Sequence, residues 1–267
     1  MAQFMYRVNQ VYGLDMNSYD ELFNWSVNHI SDFWGQIWDY AEIKHSIPYS
    51  TIVDDVTKMP GAKWFAGAKL NFSENLLRYR DEQQAIVFKG EGQPIRSITY
   101  SELFSEVEKL AHSLRELGIQ KGDRIAGFMP NMPEAVIAML ATVSIGAIWS
   151  SSSPDFGIKG VLDRFSQIRP RIIFSANGYY YNGKEFDTLA KLKGILKDLP
   201  SVEKVVIVEY LKSGFNVKDI GNAVLYQDFI ASDPEPLVFD QLPFDHPLYI
   251  LYSSGTTGLP KSIVHGA

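Results

Sequence analysis

From about residue 95 onward, apolar positions recur with a helical period, and short apolar runs separate the helical stretches. Leu103, Val107, Leu110, Ala111, Leu114 and Leu117 fall on one helical face. Thr99 and Glu102 form a capping box ahead of them, and Gly118 closes the helix behind. GDRIAGFM reads as a turn and a short strand. Pro133 suits a first helical turn, and PEAVIAMLATVSIG is apolar on most sides, so this helix is expected to be buried. AIWSSS is the next strand, and DFGIKGVLDRFSQI is an amphipathic helix stopped by Pro170. RIIFSA is a strand, EFDTLAKLKGILKDL a helix, and EKVVIVEY and YILYSS two more strands. Such alternation implies crossover connections and a parallel sheet. The nearly continuous apolar runs imply that both of its faces are buried. The fold class expected is therefore α/β, a parallel sheet flanked by helices.

Residues 1–94 follow another rhythm. In FNWSVNHISDFWGQIWDY, Phe23, Val27, Ile30, Trp34, Ile37 and Trp38 keep helical spacing, which predicts one helix. The remainder is punctuated by Pro48, Pro60, Gly61 and Gly67. We read 1–94 as a mainly helical, aromatic-rich cap whose rings serve packing, and 95–267 as the α/β domain.

Composition narrows the class. Of 267 residues, 46% are apolar, which is enough for a sizeable core. The net charge is −6 with no Lys/Arg cluster, which sets nucleic acid aside as a partner. The chain has no cysteine, so disulfides, thiolate metal sites and a Cys nucleophile are excluded, and a cytoplasmic location is expected. MAQFMYRVNQ lacks a signal-peptide pattern. Ala135 to Trp149, the most apolar stretch, is too short to span a bilayer, so no membrane partner is expected. Asn24-Trp-Ser26 and Asn71-Phe-Ser73 match the glycosylation pattern by chance.

The candidate chemistry lies in YSSGTTGLPK, residues 252–261. Glycines permit positive φ, so that successive N–H groups can face one anion; hydroxyls add donors and lysine adds charge. Ser253, Ser254, Gly255, Thr256, Thr257, Gly258 and Lys261 supply all three. The stretch narrowly misses the G-x-x-x-x-G-K-[ST] loop, with Pro260 at the second glycine. Proline has no N–H to offer there, and SIVHGA reads as a strand rather than a helix. A strand–loop–strand hairpin folding over a triphosphate is expected. Asp155-Phe156-Gly157 spells a kinase metal-binding triplet, but no partner motif precedes it, and a helix N-terminus is the better reading. His265 reads as a strand residue.

Ser253 to Lys261 resembles, at every position, the nucleotide loop of adenylate-forming enzymes: acyl-CoA synthetases, luciferase-like enzymes and peptide-synthetase adenylation domains. Gly122-Asp123-Arg124 with MPNMPEAVIAMLATVSIGAIWS resembles an early block of the same family. FWGQIWDYAEI and WFAGAKLNFSENLL are similar to the N-terminal cap of short-chain acyl-CoA synthetases. IWSSSSPDFG, and LPKSIVHG with Ser262 where most relatives have glycine, resemble the acetoacetate-activating branch.

The resemblance implies an ATP-dependent, AMP-forming acid–thiol ligase that makes an acyl-adenylate from acetoacetate and passes the acyl group to coenzyme A. ATP, Mg2+ and coenzyme A are the implied substrates and cofactors, and a small carboxylate is the partner. Ser253, Ser254, Gly255, Thr256, Thr257 and Gly258 would hold phosphate, and Lys261 would stabilise its charge. No metal ligand is expected among these residues. Trp64, Phe65 and Gly67 are candidates for the coenzyme A side. Enzymes of this kind are more than twice as long, so the chain is expected to be half of their large N-terminal domain. On its own it would be inactive, and its sheet edge could pair with a second copy. Acetyl-, propionyl- or butyryl-CoA synthetases, and a non-catalytic truncated nucleotide-binding module, are the alternatives.

Overall fold

A computed structural model describes residues 1–211, 215–253 and 258–266. The chain forms two compact units. One comprises Met1–Leu70 with Gln241–Asp245, the other Asn71–Asp240 with His246–Ala267.

The first unit opens with α1 (Ala2–Tyr12), α2 (Tyr19–Asn28) and α3 (Ile30–Tyr40). A capping box starts α2: the Ser18 hydroxyl accepts from the Glu21 amide, and the Glu21 carboxylate accepts from the Ser18 amide. The single helix expected across residues 23–40 is thus two. His29, at φ −125° and ψ 55°, breaks it. The break resets the helical phase, so the expected stripe does not share one face. Leu22 and Trp25 are buried with Phe4 and Val8 of α1, while Phe23, Val27 and Trp34 are 51%, 48% and 42% exposed. Strands β1 (Thr51–Val53) and β2 (Trp64–Ala66) pair antiparallel, and β3 (Lys69–Leu70) follows.

The second unit begins at Asn71. Its first elements are α4 (Phe72–Leu76) and the antiparallel hairpin β4 (Gln84–Lys89) and β5 (Ile95–Thr99). Leu77 and Ile98 lie in one core with Leu103, Val107 and Leu110 of α5 (Tyr100–Glu116). The Thr99–Glu102 capping box is present, and Gly118 follows α5 at φ +77°.

The chain then alternates: β6 (Arg124–Phe128), α6 (Pro133–Ser144), β7 (Ile148–Ser152), α7 (Ile158–Ile168) and β8 (Ile172–Ala176). Next come β9 (Gly178–Tyr181) and β10 (Lys184–Asp187), an antiparallel hairpin not foreseen. Glu185, Phe186 and Asp187 are therefore strand, and α8 (Leu189–Lys197) starts after them. Asn182 and Gly183, both at positive φ, make the tight turn that draws those residues into a hairpin. β11 (Lys204–Val208), β12 (Ala223–Leu225) and the short α9 (Tyr226–Phe229) follow. The chain returns to the first unit, where β13 (Leu242–Pro243) pairs with β3 and Phe244 packs 4.9 Å from the Phe65 ring. It ends in the second unit with β14 (Tyr249–Ser253) and β15 (Lys261–His265).

One seven-stranded sheet organises the second unit, in the order β12-β11-β8-β6-β7-β14-β15. All its pairs are parallel except β14–β15. Strand residues alternate between two cores. Ile125, Trp149, Phe174 and Val206 meet α5 and α6 on one face; Ala126, Phe128, Ile173 and Ile207 meet α7 and α8 on the other. Two-sided burial of this kind matches the unbroken apolar runs of the strands. Gly127 in β6 is required by close approach, since a Cβ there would lie 2.7 Å from the Trp149 indole.

Candidate functional site

The glycine loop leaves β14 at Ser253 and returns on β15 at Lys261, and these two residues face each other in the register. The motif thus sits in a hairpin, with no helix crowned by it. Gly258 has φ +90°, a conformation that side chains other than glycine's rarely adopt. Ser254, Gly255, Thr256 and Thr257 lie outside the described residues. Ser253, Gly258 and Lys261 are placed at the two roots of the loop, beyond the carboxyl end of β14, which pairs parallel with β7 and antiparallel with β15.

One helix holds both roots. On the incoming side, the Tyr252 hydroxyl donates to the Arg164 carbonyl at 3.3 Å. The Arg164 guanidinium lies 5.7 Å from the Tyr252 ring centre and 4.2 Å from that of Phe156. Burial raises the Tyr252 phenol above its ordinary value. On the outgoing side, the Gln167 amide nitrogen donates to the Pro260 carbonyl at 3.0 Å, and the Ser262 hydroxyl donates to the Gln167 amide oxygen at 3.1 Å. Arg164 and Gln167 were not anticipated. On an amphipathic helix they read as solvent-facing residues, and no local signal marks a tertiary partner about 90 residues away.

A cleft of about 340 Å³ opens at the carboxyl ends of β6 and β7, lined by Met129, Pro130, Asn131, Ala135 and Ser151 to Pro154. Its position follows from topology. The connection after β6 runs through α6 on one face, and that after β7 runs through α7 on the other. The carboxyl ends of β6 and β7 are therefore a switch point, where open α/β sheets bind ligands. The Ser152 hydroxyl, 6% exposed as a residue, lines this region and has no hydrogen-bond partner among the described residues. In the first turn of α6, Glu134 pairs with Arg96 at 2.6 Å.

The secondary motifs take structural roles. Gly157 is the N-cap of α7, so Asp155-Phe156-Gly157 is a helix start, as expected. Asp155 accepts from the Ser153 hydroxyl at 3.0 Å, and Lys191 donates to the Pro154 carbonyl at 2.8 Å. Burial, with help from Asp155, pushes the Tyr179 phenol up to about 12. In the first unit, Phe65 is 5% exposed, with its ring 4.7 Å from that of Trp38, so it serves packing and offers no ligand surface. Asn71 is 1% exposed and fully engaged in hydrogen bonds, so its glycosylation pattern is incidental. His265 pairs with Tyr249 across the hairpin. Among the described residues no three His, Asp or Glu side chains converge as a metal site, and no helix is long and apolar enough to cross a membrane.

Known proteins fit this arrangement. Residues 19–76 match the family model described as the acetyl-coenzyme A synthetase N-terminus. An acetoacetyl-CoA synthetase of Macaca fascicularis is 45% identical over the whole chain, and an acetoacetyl-coenzyme A synthetase of Rhizobium meliloti is 44% identical. A malonamoyl-CoA synthetase of Penicillium aethiopicum is 43% identical. The solved acetoacetyl-CoA synthetase of Streptomyces lividans superposes with a TM-score of 0.92 over 99% of the chain, at 37% identity. The chain spans 41% of the length of the Macaca and Rhizobium relatives and 41% of that solved chain. Residues 72–267, containing the sheet, the switch-point cleft and the glycine hairpin, match the model described as AMP-binding enzyme, and the chain belongs to that family.

Proposed function

We propose that the chain is the phosphate-binding part of an AMP-forming acid–thiol ligase acting on acetoacetate. The observation that carries this reading is the hairpin that sets Lys261 opposite Ser253 beside the switch-point cleft. In this reading Ser253, Ser254, Gly255, Thr256, Thr257 and Gly258 offer hydroxyl and amide donors to the β and γ phosphates of ATP. Lys261 adds a charge-assisted contact, the stronger kind. An acetoacetate oxygen attacks the α phosphorus and pyrophosphate leaves. The thiol of coenzyme A then attacks the acyl carbon and AMP leaves. Both steps gain mainly from positioning and charge stabilisation. Mg2+ would arrive with the triphosphate, since the described residues bring no carboxylate set together for it. The first unit acts as the cap, the second opens the nucleotide-binding domain, and the chain works in the cytoplasm, which suits its lack of cysteine.

The acid is narrowed by chemistry. The relatives' names specify acetoacetate and malonamate, which share a carbonyl on carbon 3 and differ by a methyl against an amino group. The test is ATP–pyrophosphate exchange by the natural product containing this chain, with acetoacetate, malonamate, acetate, propionate and butyrate side by side. Exchange strongest with acetoacetate is expected, and Lys261→Ala should slow it roughly 10- to 1000-fold, as for losing one preorganised donor. A preference for acetate overturns the acid but leaves the reaction. Exchange independent of any carboxylate overturns the ligase reading.

A further inference from the structure

The side-chain amide of Gln167 is fully committed. Its nitrogen donates to the Asp163 carbonyl at 2.6 Å and to the Pro260 carbonyl at 3.0 Å, and its oxygen accepts from the Ser262 hydroxyl at 3.1 Å. The orientation is determined by these partners, because turning the amide over would set its oxygen against two carbonyls. Pro260 and Ser262 flank Lys261 on either side. Pro260 has no N–H, so its carbonyl is the backbone group by which that position can be held. A lysine ammonium sits on a long stem with many rotamers, and its aim is only as good as the backbone beneath it. Fixing the residue before and the residue after restrains both peptide planes that set the direction of the Lys261 side chain. One turn earlier on α7, Arg164 holds Tyr252 on the opposite strand, so the anchor spans both sides of the hairpin.

We propose that Gln167 is a positioning residue: by clamping Pro260 and Ser262 it aims Lys261 at a bound triphosphate. The proposal rests on the nucleotide reading of the loop, and the test separates the two. Gln167 is exposed, and alanine is the better helix former, so Gln167→Ala leaves α7 intact. The probes are backbone amide exchange across residues 258–262 and calorimetric titration with MgATP, both on the chain as it stands.

Gln167→Ala should speed exchange there by about 3- to 10-fold and weaken MgATP binding by a similar factor, the range for losing one or two net hydrogen bonds. The melting temperature should stay within about 2 °C, since surface changes of this kind have small effects on overall stability. Ser262→Ala should do less. The double variant should be no worse than Gln167→Ala alone, because both remove one shared contact. Unchanged exchange in Gln167→Ala overturns the proposal, as do strictly additive effects of the two substitutions. If the unaltered chain binds no MgATP, the nucleotide reading fails. The clamp is then judged by exchange alone, with faster exchange upholding it and unchanged exchange overturning it.

Discussion

Replacing Asn71 tests the packing logic of the second unit. The residue is 1% exposed, and its amide nitrogen reaches the carbonyls of Val143, Ser144 and Asp240 at 3.2, 3.0 and 2.9 Å. Its amide oxygen accepts from the Glu74 amide at 3.2 Å and caps α4. Asn71→Ala removes both functions. Losing an N-cap costs about 1 kcal/mol. Removing the two amide N–H donors shared among the Val143, Ser144 and Asp240 carbonyls costs a further 1–3 kcal/mol or so, although Val143 and Ser144 each keep a backbone donor. The expected loss is therefore about 2–4 kcal/mol. For a domain of roughly this size, 1 kcal/mol moves the melting temperature by about 2–4 °C, so a fall of about 4–16 °C is expected. Thermal and urea unfolding followed by far-ultraviolet circular dichroism would measure it. Asn71→Asp separates the two contributions. It keeps the capping oxygen but turns a carboxylate oxygen toward three carbonyls. If the clamp dominates, aspartate is at least as damaging as alanine. A loss below about 0.5 kcal/mol in Asn71→Ala, the level of an ordinary surface change, would refute the reasoning.

Gly127→Ala should destabilise by about 1–3 kcal/mol in urea unfolding, because its Cβ would press on the buried Trp149 ring; a neutral result would mean the ring shifts freely. Asp54 accepts from Lys58 and from the Lys63 amide, both at 2.7 Å, and these bonds hold its carboxyl down to about 2. Its stabilising effect is therefore present above the ordinary value of 3.8 and lost as pH falls through about 2. Carboxyl NMR titration should give a midpoint near 2 that rises in Lys58→Ala, and a midpoint unmoved by that change would contradict the assignment. β15 is exposed along its length, with Ile263 44% and Val264 54% accessible, and is an edge strand of the sheet. We expect it to pair with a second copy as concentration rises. Light scattering that reports a monomer at every concentration would count against this.

The alternating core of the second unit was legible because each element carries its own period and punctuation. Thr99 with Glu102, Pro133 and Pro170 mark helix ends that tertiary contacts do not override. The strand–loop–strand form of YSSGTTGLPK was legible too, since Pro260 and the β-branched SIVH exclude a following helix. The aromatic stretch failed for a specific reason. Its rings are so frequent that several stripes fit, and the break at His29 selects another one. The β9–β10 hairpin had a signal in Asn182-Gly183, but the charged run after it resembles a helix start. The α7 anchor had none. Gln167 and Arg164 acquire their roles only when the sheet order places α7 beside the hairpin, and that order is not written in any local window.

The first unit is completed by residues far along the chain: β13 pairs with β3, and Phe244 packs on Phe65. During synthesis, Phe65 leaves the ribosome long before Phe244 exists. At about 5–20 residues per second, the interval is roughly 10–35 s. The amino-terminal unit, though made first, therefore finishes folding only after five of the seven sheet strands have been synthesised, and its Phe65 face lacks Phe244 throughout that wait.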